Sequence, residues 1–303
     1  NLHTANAPKL LIASTGRYYM VFRYQLGVTD YLSVHYSDNG GSVWTNVDIA
    51  VPTGATSVAA DIDSEDIIHV VYERATYIVT YRTFYGGAFT SEETIFDGTA
   101  DTDAVIDVDI ACDEQNIPRV CWVQEEPTTT IQQTYYSERS AGIWATRTTL
   151  SSNTGANDSH TAIIAIDSNN HIYVLWRAKV GISHQINYAK YTSSWTSQQT
   201  LDSVASLGSI EFIPRIVFDS SDNAYVVYHD RNNGGGNGIN YIKYTKSTDS
   251  WGSATEIVSG VEADSYVSVG VDTSNNLHVV YGGENGGEAI YYTTSTNGAS
   301  TWS

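Results

Sequence analysis

One short apolar segment recurs six times in this chain at intervals of about fifty residues, and that periodicity constrains the fold more than any other feature. The copies are Tyr19-Met20-Val21-Phe22, His69-Val70-Val71-Tyr72, Arg119-Val120-Cys121-Trp122, Tyr173-Val174-Leu175-Trp176, Tyr225-Val226-Val227-Tyr228 and His278-Val279-Val280-Tyr281. Apolar residues follow one another without alternation, as in a strand covered on both faces. Five copies follow a turn that opens with aspartate: Asp63, Asp113, Asp167, Asp219 and Asp272. Asp followed by Ser or Asn closes a tight turn through its own side chain. The first copy has Ser14-Thr15-Gly16 there instead. Each copy leads through a variable loop and a Tyr-rich segment to a marker aromatic: Trp44, Phe89, Trp144, Trp195, Trp251 and Trp302. The steps between these markers, taken round from the last to the first, add up to the full 303 residues. The chain therefore holds a whole number of repeats.

Groups of four short strands, parted by turns and repeated radially, describe propeller blades. The expected fold is all-β: a single six-bladed β-propeller over 1–303, with four-stranded antiparallel blades. The blades are expected at about 8–51, 57–97, 104–152, 160–203, 211–259 and 265–303 plus 1–5. A solenoid would need polar capping repeats, and the sequence has none. The last repeat stops at Thr301-Trp302-Ser303, where a fourth strand should begin, and Asn1-Leu2-His3 continues the pattern. Asn1 to about Ala5 should therefore complete the last blade. That strand either closes its own ring, hiding the sheet edge without a partner, or completes a neighbour's blade by strand donation.

The chain carries 34 acidic and 15 basic residues, a formal net charge of -19. Such a surface repels phosphate backbones, which argues against a nucleic-acid partner. No apolar run approaches the roughly 20 residues of a membrane span. Abundant Ser, Thr, Tyr, Asn and Gly suit a secreted or cell-surface protein, and the start at Asn1 reads as a processed chain. The 8 histidines show no metal spacing; His69 and His278 share one place in the repeat and read as packing. Asp219-Ser220-Ser221-Asp222-Asn223 is oxygen-rich enough to suggest Ca²⁺ but lacks the regular ligand loop, so no cofactor is expected. Asn157-Asp158-Ser159 is a glycosylation sequon that matters only in a glycosylating host. The two cysteines, Cys112 and Cys121, lie in one hairpin. With Asp113 opposite Ile117, Cys121 falls opposite Asp109, and the thiols point to opposite faces as free, buried groups.

The turns Ser37-Asp38-Asn39-Gly40-Gly41-Ser42-Val43-Trp44 and Ser295-Thr296-Asn297-Gly298-Ala299-Ser300-Thr301-Trp302 resemble the Asp-box of sialidase-like (bacterial neuraminidase repeat) propellers, Ser-x-Asp-x-Gly-x-Thr-Trp. Asn39 and Asn297 replace the aspartate, and Asn can make similar turn-locking bonds. Ser137 to Trp144 keeps the spacing alone. The repeat plan covers the whole chain, whereas the motif fits two blades. The resemblance implies that Ser37, Asn39, Gly41, Trp44, Ser295, Asn297 and Trp302 are turn locks, on the face away from any active site. It also implies glycoside hydrolysis by an arginine cluster, a Tyr–Glu nucleophile pair and an Asp acid/base.

Candidate ligand residues lie where second strands end and blades connect, around one mouth of the central channel. The strand exits offer Arg23, Glu73, Arg74, Gln124, Glu125, Glu126, Arg177, His229, Asp230, Arg231 and Glu284. The connections offer Asp101, Asp103, Asp158, His160, Glu262 and Asp264. A hydrolase would use Arg23, Arg177 and Arg231 as its cluster, with Asp103 or Asp158 as acid. Against it, the family's Arg-Ile-Pro segment is missing, and Phe212-Ile213-Pro214-Arg215 has those letters in another order and in a late blade. A non-catalytic propeller for glycan binding, for structural assembly, or for both, needs only aromatic faces with nearby polar groups. That is the favoured reading, with a glycan or other surface ligand, or a second copy of the chain, as partner. Phe22, Tyr72, Trp122, Trp176, Tyr228 and Tyr281 are expected mostly to fill the wedges between blades.

Overall fold

The computed structural model describes residues 10–52, 57–100, 103–126, 128–155, 157–181, 183–204, 214–230, 238–261, 266–284, 287–296 and 298–303. Among these, the strands form six antiparallel sheets. The first holds β1 (Leu10–Ile12), β2 (Tyr18–Leu26), β3 (Thr29–Ser37) and β4 (Thr45–Val51). The second holds β5 (Val58–Ile62), β6 (Ile68–Arg74), β7 (Ile78–Tyr85), β8 (Ala88–Phe89) and β9 (Glu93–Asp97). In the third are β10 (Val105–Cys112), β11 (Pro118–Glu125), β12 (Gln132–Ser140), β13 (Ile143–Trp144) and β14 (Thr148–Thr149). The fourth contains β15 (Asp158–Ile166), β16 (Ile172–Val180), β17 (Ser183–Tyr191) and β18 (Gln199–Val204). The fifth contains β19 (Arg215–Phe218), β20 (Ala224–Asp230), β21 (Gly238–Thr245), β22 (Ser250–Trp251) and β23 (Thr255–Ser259). Three strands make the sixth: β24 (Val267–Val271), β25 (Leu277–Glu284) and β26 (Gly287–Ser295). The chain divides into two compact units, Asn1–Val174 with Lys190–Ser197 and Leu175–Ala189 with Gln198–Ser303.

The repeated Asp turns explain why the first two strands of each sheet pair as they do. One carboxylate oxygen accepts the backbone N–H groups two and four residues on, as from Gln115 and Ile117 to Asp113 at 3.0 and 2.9 Å. Asp63, Asp167, Asp219 and Asp272 do the same. The residue three places on is left-handed in all five: Asp66, Asn116, Asn170, Asp222 and Asn275, with φ of 58 to 63°. Asn and Asp tolerate that conformation. Most of these turns turn the second carboxylate oxygen to a side chain of the following strand: His69, Arg119, Tyr225 and His278, each six residues beyond its Asp. His69 passes the contact on to the Tyr81 hydroxyl, and His278 to that of Tyr292, both at 2.6 Å. The packing role expected of these histidines is thus a fixed hydrogen-bonding one.

The left-handed residue also ties its turn to the sheet before. Asn116 Oδ1 accepts from the Ser64 amide and hydroxyl, Asp66 from those of Ser14, Asn170 from the Glu114 amide and Asn275 from the Ser220 amide. The marker aromatics fasten the seams at a second level. Trp144 packs on Tyr81 with ring centroids 5.1 Å apart, Trp195 on Tyr136 at 4.8 Å, Trp251 on Tyr188 at 5.5 Å and Trp302 on Tyr241 at 5.9 Å. Several of these rings sit in two-residue strands, β8, β13 and β22, that return onto the third strand before the fourth begins. Between the seams lie cores such as Ala59, Val71, Val79 and Tyr81 of the second sheet against Val108, Ile110, Val120 and Trp122 of the third.

In the first sheet Ser37 Oγ donates to Asn39 Oδ1 and accepts from the Gly41 amide, while the Val43 amide donates to Asn39 Oδ1. Gly41 has φ of 86° and lies against the Trp44 ring, which favours glycine there. In the last sheet the Ala299 amide donates to Ser295 Oγ, and the Ala299 carbonyl accepts from the Tyr241 hydroxyl. Asn297 lies outside the described residues. Cys121 pairs with Asp109 and Cys112 with Pro118. Neither cysteine is in a disulfide; Cys121 is buried and Cys112 is partly exposed. Arg119 reaches across its strand pair to the Asp113 carboxylate, 2.7 Å away, and also to Glu138.

Candidate functional site

At the exit of β2, Arg23 ion-pairs with Asp30 at 2.6 Å, and both side chains are buried. Asp30 enters the next strand opposite Gln25, so the pair spans the hairpin. At the exit of β6, Glu73 is buried and its amide bonds the Ser57 carbonyl. Beside it Arg74 and Arg82 converge on Glu92, at 3.3 and 2.9 Å, and the Tyr72 hydroxyl donates to the same carboxylate at 2.6 Å. Burial works to raise the Glu92 carboxyl, but the Tyr72 and Arg82 bonds overcome it and hold it below the usual range. Burial and the acceptor Glu92 push the Tyr72 phenol up. This is a Tyr–Glu pair with arginines in attendance, but its phenol is buried and kept protonated. It suits cross-bracing rather than nucleophilic attack.

The next seam places a different set at the same repeat position. Glu92 and Arg147 each stand three residues beyond their marker aromatic, Phe89 and Trp144. Phe96, Trp122 and Tyr135 form a stack with centroids 6.0 and 5.7 Å apart. The Arg147 guanidinium lies over Phe96 at 4.5 Å and over Tyr135 at 4.4 Å. Its Nη1 donates to Gln124 Oε1 at 2.7 Å. Gln124 in turn accepts from Trp122 Nε1 at 3.0 Å and donates to Asp103 at 2.7 Å. Gln124 and Asp103 are buried, whereas 30% of the Arg147 side chain is exposed. Glu125 follows Gln124 and is tied by its amide to the Ala104 carbonyl. Asp158 opens β15 and accepts the Gln132 amide at 3.1 Å.

In the second unit, Arg177 is buried on β16 and His184 on β17. Burial lowers the His184 pKa, and the charges of Arg177 and Lys179 lower it further. His229 and Asp230 end β20, both buried. Asn240 donates to Asp230 at 3.1 Å, and the neighbouring Tyr228 hydroxyl donates to Asp202. Burial and Asp202 raise the Tyr228 phenol. The third and fourth strands carry a bulge beside Asn187 and again beside Asn240, as they do beside Thr80 in the second sheet. Each bulge re-aims side chains where the exit residues cluster.

Arg231, Asp101, Glu262 and Asp264 lie outside the described residues, as does the Glu284 side chain. Arg147, Phe96 and Tyr135 were not among the candidates read from the sequence. A shared offset from the marker aromatic was the signal that could have found Arg147. Among the described residues no group of three or more His, Cys, Asp or Glu could hold a metal ion. Among the same residues no helix is long and apolar enough to cross a membrane.

No protein-family model matches the chain, and no curated protein does. Solved structures match over nearly the whole chain at low identity. AofleA from Arthrobotrys oligospora is 13% identical, covers 100% of this chain and 85% of its own, and gives a TM-score of 0.61. The α-L-arabinanase of Penicillium chrysogenum, complexed with arabinobiose, is 11% identical over 95% of this chain and 92% of its own, at a TM-score of 0.62. An ulvan lyase is 11% identical over 94% and 78%, at a TM-score of 0.65. These likenesses establish the fold: all-β, propeller-type, with four-stranded antiparallel sheets.

Proposed function

We propose that this chain is a carbohydrate-recognition propeller acting outside the cell, with its ligand bound among the strand exits and seam residues. The observation that carries the reading is the cluster at Arg147. A guanidinium is clamped between aromatic rings, backed by a buried amide and carboxylate, and open to solvent on one side. Sugar hydroxyls take such directed donors beside apolar rings. The structural neighbours, among them an arabinanase complexed with arabinobiose and an ulvan lyase, support a glycan ligand. A glycan array probed with the intact protein, with an assay for new reducing ends on every glycan that binds, tests the reading. Saturable binding without cleavage is expected; failure to bind any glycan overturns it.

A hydrolase is the second reading, favoured by the relay of Asp202, Tyr228, Asn240 and Asp230. It brings two carboxylates to one phenol–amide pair, and glycoside cleavage requires paired carboxyl groups. New reducing ends that disappear in Asp230→Asn would establish it. The finer fold reading belongs here as well: six blades in one ring, with degenerate Asp-boxes as turn locks, and residues 1–5 completing the last blade or a neighbour's. The three-stranded sixth sheet, which among the described residues lacks a fourth strand at its β26 edge, supports it.

A further inference from the structure

Arg147 differs from the arginines around it in what it lacks. Arg17, Arg23, Arg82, Arg119 and Arg139 each hold a carboxylate at 2.5 to 2.9 Å, and Arg74 reaches one at 3.3 Å. The nearest carboxylate oxygen to Arg147 belongs to Asp103, 4.0 Å away and already bonded to Gln124. Only Nη1 of Arg147 makes a hydrogen bond among the described residues. The Nε–Nη2 edge, the fork that matches a carboxylate with two parallel bonds, makes no hydrogen bond among the described residues, and 30% of the side chain is exposed. The two rings fix the plane of the guanidinium, so little side-chain freedom remains to be lost on binding. In the preceding seam the equivalent position is Glu92, closed by Arg74, Arg82 and Tyr72 with no such open edge.

We propose that the open edge of Arg147 receives a carboxylate of the ligand, so that the glycan recognised here carries uronic acid. This rests on the carbohydrate reading above and adds the charge class of the sugar. The net charge of -19 slows the approach of an anion, but that effect is screened beyond about 8 Å at physiological salt. Contact at the clamp decides retention.

The test uses the full chain, an oligogalacturonide, and the same oligomer fully methyl-esterified, so that the two probes differ in charge at the carboxyl. In titration calorimetry the acid form should bind about tenfold more tightly than the ester. Arg147→Gln should abolish that preference, so that acid and ester bind alike at whatever affinity remains, and Arg147→Lys should keep part of it. Circular dichroism of each variant guards against misfolding. Equal affinity for acid and ester, a preference that survives Arg147→Gln, or no binding of either oligomer overturns the proposal. Ester binding without acid preference, or binding of other neutral sugars on the array, would leave the carbohydrate reading standing alone.

Discussion

At the residue scale, single carboxylates do most of the structural organising. Asp113 accepts two backbone amides and holds Arg119 at the same time. Asp113→Ala should therefore cost about 2–4 kcal/mol in denaturant unfolding, because it leaves a partly buried arginine without its carboxylate as well as removing two turn bonds. Asp113→Asn, which keeps one acceptor, should cost less. Asp107 behaves differently. It is buried, takes hydrogen bonds from the Ser57 hydroxyl and the Ala162 amide, and sits near Asp109. Burial chiefly, with the Asp109 charge, raises its pKa to about 7. The native state then holds its proton more tightly than the unfolded chain, so stability falls as pH rises from about 4 to 7 and levels off above. Asp107→Asn should flatten that slope. The gap between the variant and the wild type in thermal unfolding should grow over the same range, by at most about 4 kcal/mol. A wild-type curve that rises from pH 4 to 7 relative to the variant would contradict this assignment.

At the element scale, the seam is the repeating unit of cohesion. The left-handed Asn116 makes two bonds to Ser64 in the neighbouring sheet. Asn116→Gly keeps the conformation but loses those bonds, so it should cost about 1 kcal/mol. Asn116→Ala adds strain at positive φ and should cost about 1 kcal/mol more. Their difference separates the turn from the seam in one pair of unfolding curves. The turns, the second strands and the marker aromatics were legible in the sequence because each depends on residues close in the chain. The opposite facing of Cys112 and Cys121 followed from strand parity in the same way. The bulges and the stack around Arg147 were not legible. Phe96, Trp122, Tyr135 and Arg147 come from two sheets, and their meeting depends on how one sheet lies on the next. Gln124, named from the sequence as a strand exit, and Asp103, named as a connection residue, bond each other beside Arg147. Arg23 was also named there, and the structure pairs it with Asp30.

At the scale of the whole molecule, the repeated sheets set out the strand exits at which the proposed ligand binds. Deleting Asn1–Ala5 should lower the melting temperature of a monomer if the strand completes the chain's own last blade; loss of an oligomer seen by light scattering would mark donation to a neighbour instead. The most direct check of the central claim is hydrogen–deuterium exchange on the intact protein, with and without the best-binding oligosaccharide. Ligand should slow exchange in peptides spanning 93–104, 118–126 and 132–149, leaving the Asp-turn peptides near 63–67 and 113–117 unchanged. Protection confined to the Asp turns, or none despite saturating ligand, would contradict it.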